Sequence, residues 1–84
     1  MDPQELERLN LVAETLARQS GMHASVRCET RSGIVFLVID VIKPGLQALE
    51  NSTARELSKA GPNLDDFVCN FIRQSALKLG ARRW

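Results

Sequence analysis

The chain has 84 residues, 44% hydrophobic and 25% charged, which fits one small globular domain and excludes wholesale disorder. With Lys and Arg at 11 and Asp and Glu at 10, the net charge of +1 gives no global pull toward nucleic acid or an acidic membrane. A core of this size is marginal without a staple or a partner subunit, and two distant cysteines, Cys28 and Cys69, are not a disulfide framework.

Both cysteines read as small buried apolar residues in a reducing compartment. The acidic start, Met1-Asp-Pro-Gln-Glu-Leu-Glu7, lacks the apolar core of a signal peptide. The central apolar run is roughly half as long as a membrane-spanning helix. The expected address is cytoplasmic, with no membrane partner.

Asp2 suits a helix N-cap, Pro3 the first helical position, and Glu5 and Glu7 the positive end of the helix dipole. Leu6, Leu9, Val12, Ala13, Leu16 and Ala17 then share one side at helical spacing, while Leu11 points away. Glu14 and Arg18 can pair across a turn, and Gly21 suits a left-handed end. His23 to Thr30 alternates apolar and polar residues, as a half-exposed strand does. Arg31-Ser32-Gly33 supplies a turn into Gly33 to Lys43, where β-branched and aromatic residues fill both faces until Asp40. Such a strand wants cover on both sides, and the two strands should form an antiparallel hairpin.

The apolar strand then keeps one unpaired edge, to be covered by a helix or by a second copy of the chain. Pro44-Gly45 stops the strand, and Leu46, Leu49, Thr53, Leu57 and Ala60 fall at helical spacing. Thr53-Ala-Arg-Glu56 has the form of a capping box. Asn63 can cap a last helix, with Asp65 and Asp66 at its start, Arg73 and Lys78 toward its end, and a broad face of Leu64, Phe67, Val68, Phe71, Ile72 and Leu79. Gly80 ends it, leaving residues 81–84 as a short basic tail. The expected fold is therefore a small single α+β domain over residues 1–84, in the order α-β-β-α-α, with the hairpin packed against helices and the sheet extended by dimerisation.

Catalytic chemistry needs a reactive group set against a partner group, and the chain offers little. His23 is the only histidine, the cysteines lack zinc spacing, and no phosphate loop, G-x-S-x-G or H-E-x-x-H is present. His23 reads as a boundary residue; Asp40 reads as a carboxylate at a strand's emergent end facing solvent, Lys43 or a helix N-terminus. Asp65 and Asp66 read as ordinary helix-start acids. The chain is expected to be no enzyme and to need no cofactor or metal. Arg82, Arg83 and Trp84, together with Arg73 and Lys78, form the best basic and aromatic cluster, which suits phosphate contact and base stacking but equally a helix end and a solubilising tail.

Leu57-Ser-Lys-Ala-Gly61, followed by Asn63-Leu-Asp-Asp-Phe-Val68 and on to Ile72, is similar to the second half of ribbon-helix-helix repressors and antitoxins. The resemblance covers the C-terminal half and implies a dimer whose paired strands enter a DNA groove. Strands of that family present polar side chains to bases, whereas Val35-Phe-Leu-Val-Ile39 presents none.

The reading is a non-enzymatic interaction module, a homodimer through its apolar strand or helical faces. It would regulate or inhibit by binding and blocking a protein partner. In size and character it is similar to phage and mobile-element proteins that block host defence complexes such as CRISPR effectors. The alternative is a DNA-binding ribbon-helix-helix regulator, and nucleic acid is not the favoured partner. Leu11, Leu77, Arg82, Arg83 and Trp84 are the candidate interface residues left over once the core is assigned.

Overall fold

The computed structural model describes residues 1–80. Asp2 accepts the backbone N–H of Gln4 at 2.9 Å and opens helix α1, Pro3–Gln19, whose Leu9, Ala13 and Ala17 are buried. Ser20 and Gly21 end it, Gly21 taking a φ of +72° that an L side chain resists. Strand β1, His23–Arg31, runs into β2, Ile34–Lys43, through Ser32 and Gly33, both at positive φ as a tight two-residue hairpin requires.

Strand β3, Leu49–Glu56, then pairs antiparallel with the other edge of β2, and a 3-10 turn, Leu57–Lys59, leads to helix α2, Leu64–Lys78. The α+β class is as expected, but the order is α-β-β-β-α. The segment read as a second helix is a strand and one short turn. Thr53 lies opposite Ile39 in the sheet, and Glu56, expected to close a capping box, makes no side-chain cap. A polar strand at a sheet edge lacks the alternation that marks a half-buried one, and Leu49, Thr53 and Leu57 mimic a helical stripe by chance of spacing. The correction extends to assembly. The edge of β2 expected to need a helix or a second copy is covered by β3 of the same chain, in the sheet order β1-β2-β3.

Both helices pack on one face of the sheet. There Leu37, Ile39 and Val41 of β2 and Val26 of β1 meet Leu9, Ala13 and Ala17 of α1 and Val68, Ile72 and Ala76 of α2 in one core. Two polar ties fix the position of α2. Asn51 of β3 donates to the fully buried Ser75 hydroxyl at 2.9 Å. Lys43 donates to the carbonyls of Leu79 and Gly80 at 3.3 and 3.1 Å, setting a cation on the negative end of the helix dipole.

The free edge of β1 is sealed by α1 side chains. Asn10 donates to the Val26 carbonyl at 2.6 Å and accepts the Val26 N–H at 2.7 Å, so its amide replaces a neighbouring strand. Glu14 accepts the Ala24 N–H at 3.0 Å. Removing the Asn10 amide strands two backbone groups of Val26. Asn10→Ala should lower the unfolding free energy by about 1–3 kcal/mol, measured by urea denaturation, whereas Ala at the exposed Glu7 should change it little.

Candidate functional site

Two surfaces of the described residues set exposed apolar side chains beside polar and charged neighbours. The first is the outer seam of the helical layer. Leu11 is 69% exposed on α1. It lies between two shallow grooves: one of about 660 Å³ along Gln4, Glu7, Asn10 and Ala24, and one of about 400 Å³ toward α2, lined by Leu16, Cys69 and Arg73. Leu77, 70% exposed, lies one helical turn beyond Arg73 on α2. Leu11 is thus set beside α2 by the packing of the two helices. Arg82, Arg83 and Trp84 lie outside the described residues.

The second surface is the sheet face turned away from the helices. Register gives its rows: His23, Ser25, Arg27, Glu29 and Arg31 on β1; Ile34, Phe36, Val38, Asp40 and Ile42 on β2; Glu50, Ser52, Ala54 and Glu56 on β3. Ile34 and Ile42 are each 42% exposed, whereas Val38, at 4%, is sealed by its neighbours. The apolar row is framed by charge. Arg27 bonds both Asp40 and Glu29, Arg31 bonds Glu29 at 3.0 Å, and the Arg31 guanidinium lies 5.5 Å from the centre of the Phe36 ring. The two arginines hold the Glu29 carboxyl below its usual range. Sequence reasoning set Asp40 against solvent, Lys43 or a helix N-terminus. Its partner is Arg27 on the adjacent strand, and Lys43 serves the end of α2 instead.

His23 is exposed, and its Nδ1 lies 3.2 Å from Glu14. Glu14 is the most perturbed carboxylate. The Ala24 N–H, with His23 and Arg18 hydrogen bonds beside it, lowers its pKa from 4.5 to about 2 despite partial burial. From the sequence only the Arg18 pair was visible. The edge-sealing roles of Glu14 and Asn10 were missed, and a lone Asn within an otherwise amphipathic helix was the available signal. Among the described residues no three His, Cys, Asp or Glu side chains gather where a metal could bind, and no helix is long and apolar enough to cross a membrane. Cys28 and Cys69 are free thiols.

The ribbon-helix-helix geometry is not reproduced. β2 is paired on both edges within its own chain, and the residues aligned with that family's first helix form one 3-10 turn. Only the last helix, with Asn63 accepting the Asp66 N–H at 3.2 Å, follows the expected pattern. Comparison with protein-family models, curated proteins and solved structures finds no match.

A carboxyl whose folded pKa is depressed contributes stability above its unfolded pKa, and that contribution is lost as pH falls through the folded value. For Glu14 the window runs from about pH 5 down to about pH 2. Glu29 and Asp65, both held low by arginine partners, act in the same direction. The urea midpoint should therefore fall steadily through this window. Glu14→Gln should flatten the fall, whereas an unchanged pH profile would contradict the Glu14–Ala24 bond.

Proposed function

We propose that this chain is a non-enzymatic, cytoplasmic protein-interaction module that regulates or inhibits by occupying a surface on a protein partner. The observation that carries this reading is Leu11, held exposed between a groove along α1 and β1 and a mostly apolar groove where α1 meets α2. A single exposed leucine is ordinary on a protein surface. One flanked by Leu16, Val12 and Cys69 along a helix seam offers a contiguous place for an apolar anchor from another protein. Arg73 on the same seam can add a charge-assisted bond at its rim. The free thiols Cys28 and Cys69 suit a reducing compartment. Likeness to anti-defence proteins of phage and mobile elements rests on size and character, and remains one form such a regulator can take.

The test is recovery of a partner from a lysate of the source cell by the tagged chain, with nuclease treatment and a high-salt wash. A protein partner should survive both, and Leu11→Glu should cut its recovery at least tenfold while leaving the melting temperature unchanged. Leu77→Glu should weaken recovery less. Loss on nuclease treatment or in modest salt would contradict the reading and favour nucleic-acid binding.

A further inference from the structure

We propose that the open edge of β3 docks an extended, basic segment of another protein, which adds to the sheet as a fourth strand. The two edges of the sheet differ. On β1 the outward backbone groups of Ala24 and Val26 are taken by Glu14 and Asn10 of α1. On β3 the residues that bond β2 are Leu49, Asn51, Thr53 and Arg55, so Glu50, Ser52 and Ala54 turn their N–H and carbonyl groups outward. All three residues are exposed, and among the described residues these backbone groups have no partner. The strand keeps a continuous register over Leu49–Glu56, with no proline, glycine or bulge to turn the edge away.

That geometry specifies the backbone of the occupant. Paired donors and acceptors recur about every 7 Å along the edge. Another extended main chain matches that spacing, whereas a helix has already used its own groups internally. Strand addition of this kind draws affinity from main-chain bonds and selectivity from alternate side chains. The side chains beside the edge specify the rest. The row on the outer face is Glu50, Ser52, Ala54 and Glu56, with no base in it. Glu56 is 3.3 Å from Lys59, and among the described residues Glu50 has no ion-pair partner. A Lys or Arg of the incoming strand opposite Glu50 supplies one. On the inner face α2 stands over β3, with Asn51 bonded to Ser75 and the Arg55 guanidinium 5.4 Å from the centre of the Phe67 ring. Phe71 lies between Phe67 and Ser75 at helical spacing, and both phenylalanines are half-buried. That flank gives apolar side chains of the incoming strand a wall to pack on.

A second copy of this chain fits the edge less well. Antiparallel self-pairing about a two-fold sets the acidic row of one copy against the acidic row of the other. The registers centred on Thr53 and on Ser52 engage the most of β3. The first puts Glu50 opposite Glu56 and the second puts it diagonal to Glu56, and neither brings a base into the row. A foreign strand with a cation in that row has no such conflict.

Panning a phage-displayed library of random peptides about ten residues long against the full chain tests this. Enriched peptides should alternate apolar with polar residues and carry Lys or Arg in the polar row. A synthesised winner should slow amide exchange at Ser52 and Ala54 at least tenfold. Ser52→Pro removes an outward-facing N–H and leaves the ladder to β2 intact, so it should weaken binding at least tenfold with the melting temperature preserved. Panning against Glu50→Lys with Glu56→Lys should exchange the basic residues for Asp or Glu. Leu11→Glu, on the separate helical seam, should leave peptide binding unchanged, so partner recovery through Leu11 stands or falls independently. Failure to enrich any peptide, winners that bind Ser52→Pro as tightly as the wild type, or selected rows whose charge ignores the reversal would each overturn the proposal. Protection of Ser52 and Ala54 that rises with chain concentration in the absence of peptide would make a second copy the occupant and overturn it too.

Discussion

The need to cover β2 on three sides organises the molecule. A strand of Ile, Val, Phe and Leu exposes both apolar side chains and unpaired backbone groups wherever it lacks a neighbour, and each kind of exposure costs free energy. β1 and β3 take its two edges, and α1 and α2 take one face through Leu37, Ile39 and Val41. Only the outer face is left to water, and it is there that Arg27, Asp40, Glu29 and Arg31 frame the apolar row. Asp40, the one charge inside the strand, belongs to this face and is paired across to β1.

Satisfying β2 transfers the edge problem outward, and the two outer strands solve it differently. β1 is closed by Asn10 and Glu14, which bring hydrogen-bonding side chains from α1 to Ala24 and Val26. β3 keeps its edge open but, Leu49 apart, is built from Glu, Asn, Ser, Thr, Ala and Arg, and its charged residues discourage unwanted pairing. The helical layer is pinned at the ends by Lys43 and Asn51, so the seam carrying Leu11 has a fixed position relative to the sheet. Exposed apolar side chains on two sides of so small a domain thus follow from one buried strand with limited material to cover it.

Much of this was legible in the residues because it is local. The Asp2 and Asn63 caps, the Ser32-Gly33 turn, the stripes of α1 and α2 and the apolar strand depend on near neighbours and on period. β3 was not legible for a physical reason. Its strand conformation is imposed by the open edge of β2, and its own residues favour neither strand nor helix strongly. The same holds for Asn10, whose task appears only when Val26 is brought alongside it from sixteen residues away. Leu11 and Leu77 were recognisable as surplus to the core. Their relation to the α1–α2 seam required the packing of both helices.

The most direct test of the central claim, that β3 closes β2 within one chain, is amide hydrogen exchange along residues 49–56. Ala24 and Val26 of β1 turn their backbone groups toward α1, so Leu37, Ile39, Val41 and Lys43 of β2 are the residues that bond β3. The account predicts alternating protection, slow at Asn51, Thr53 and Arg55 and fast at Ser52 and Ala54. Contiguous protection through Leu57 and Ala60 would indicate a helix there, and uniformly fast exchange would leave β2 uncovered. Either result would contradict the fold described.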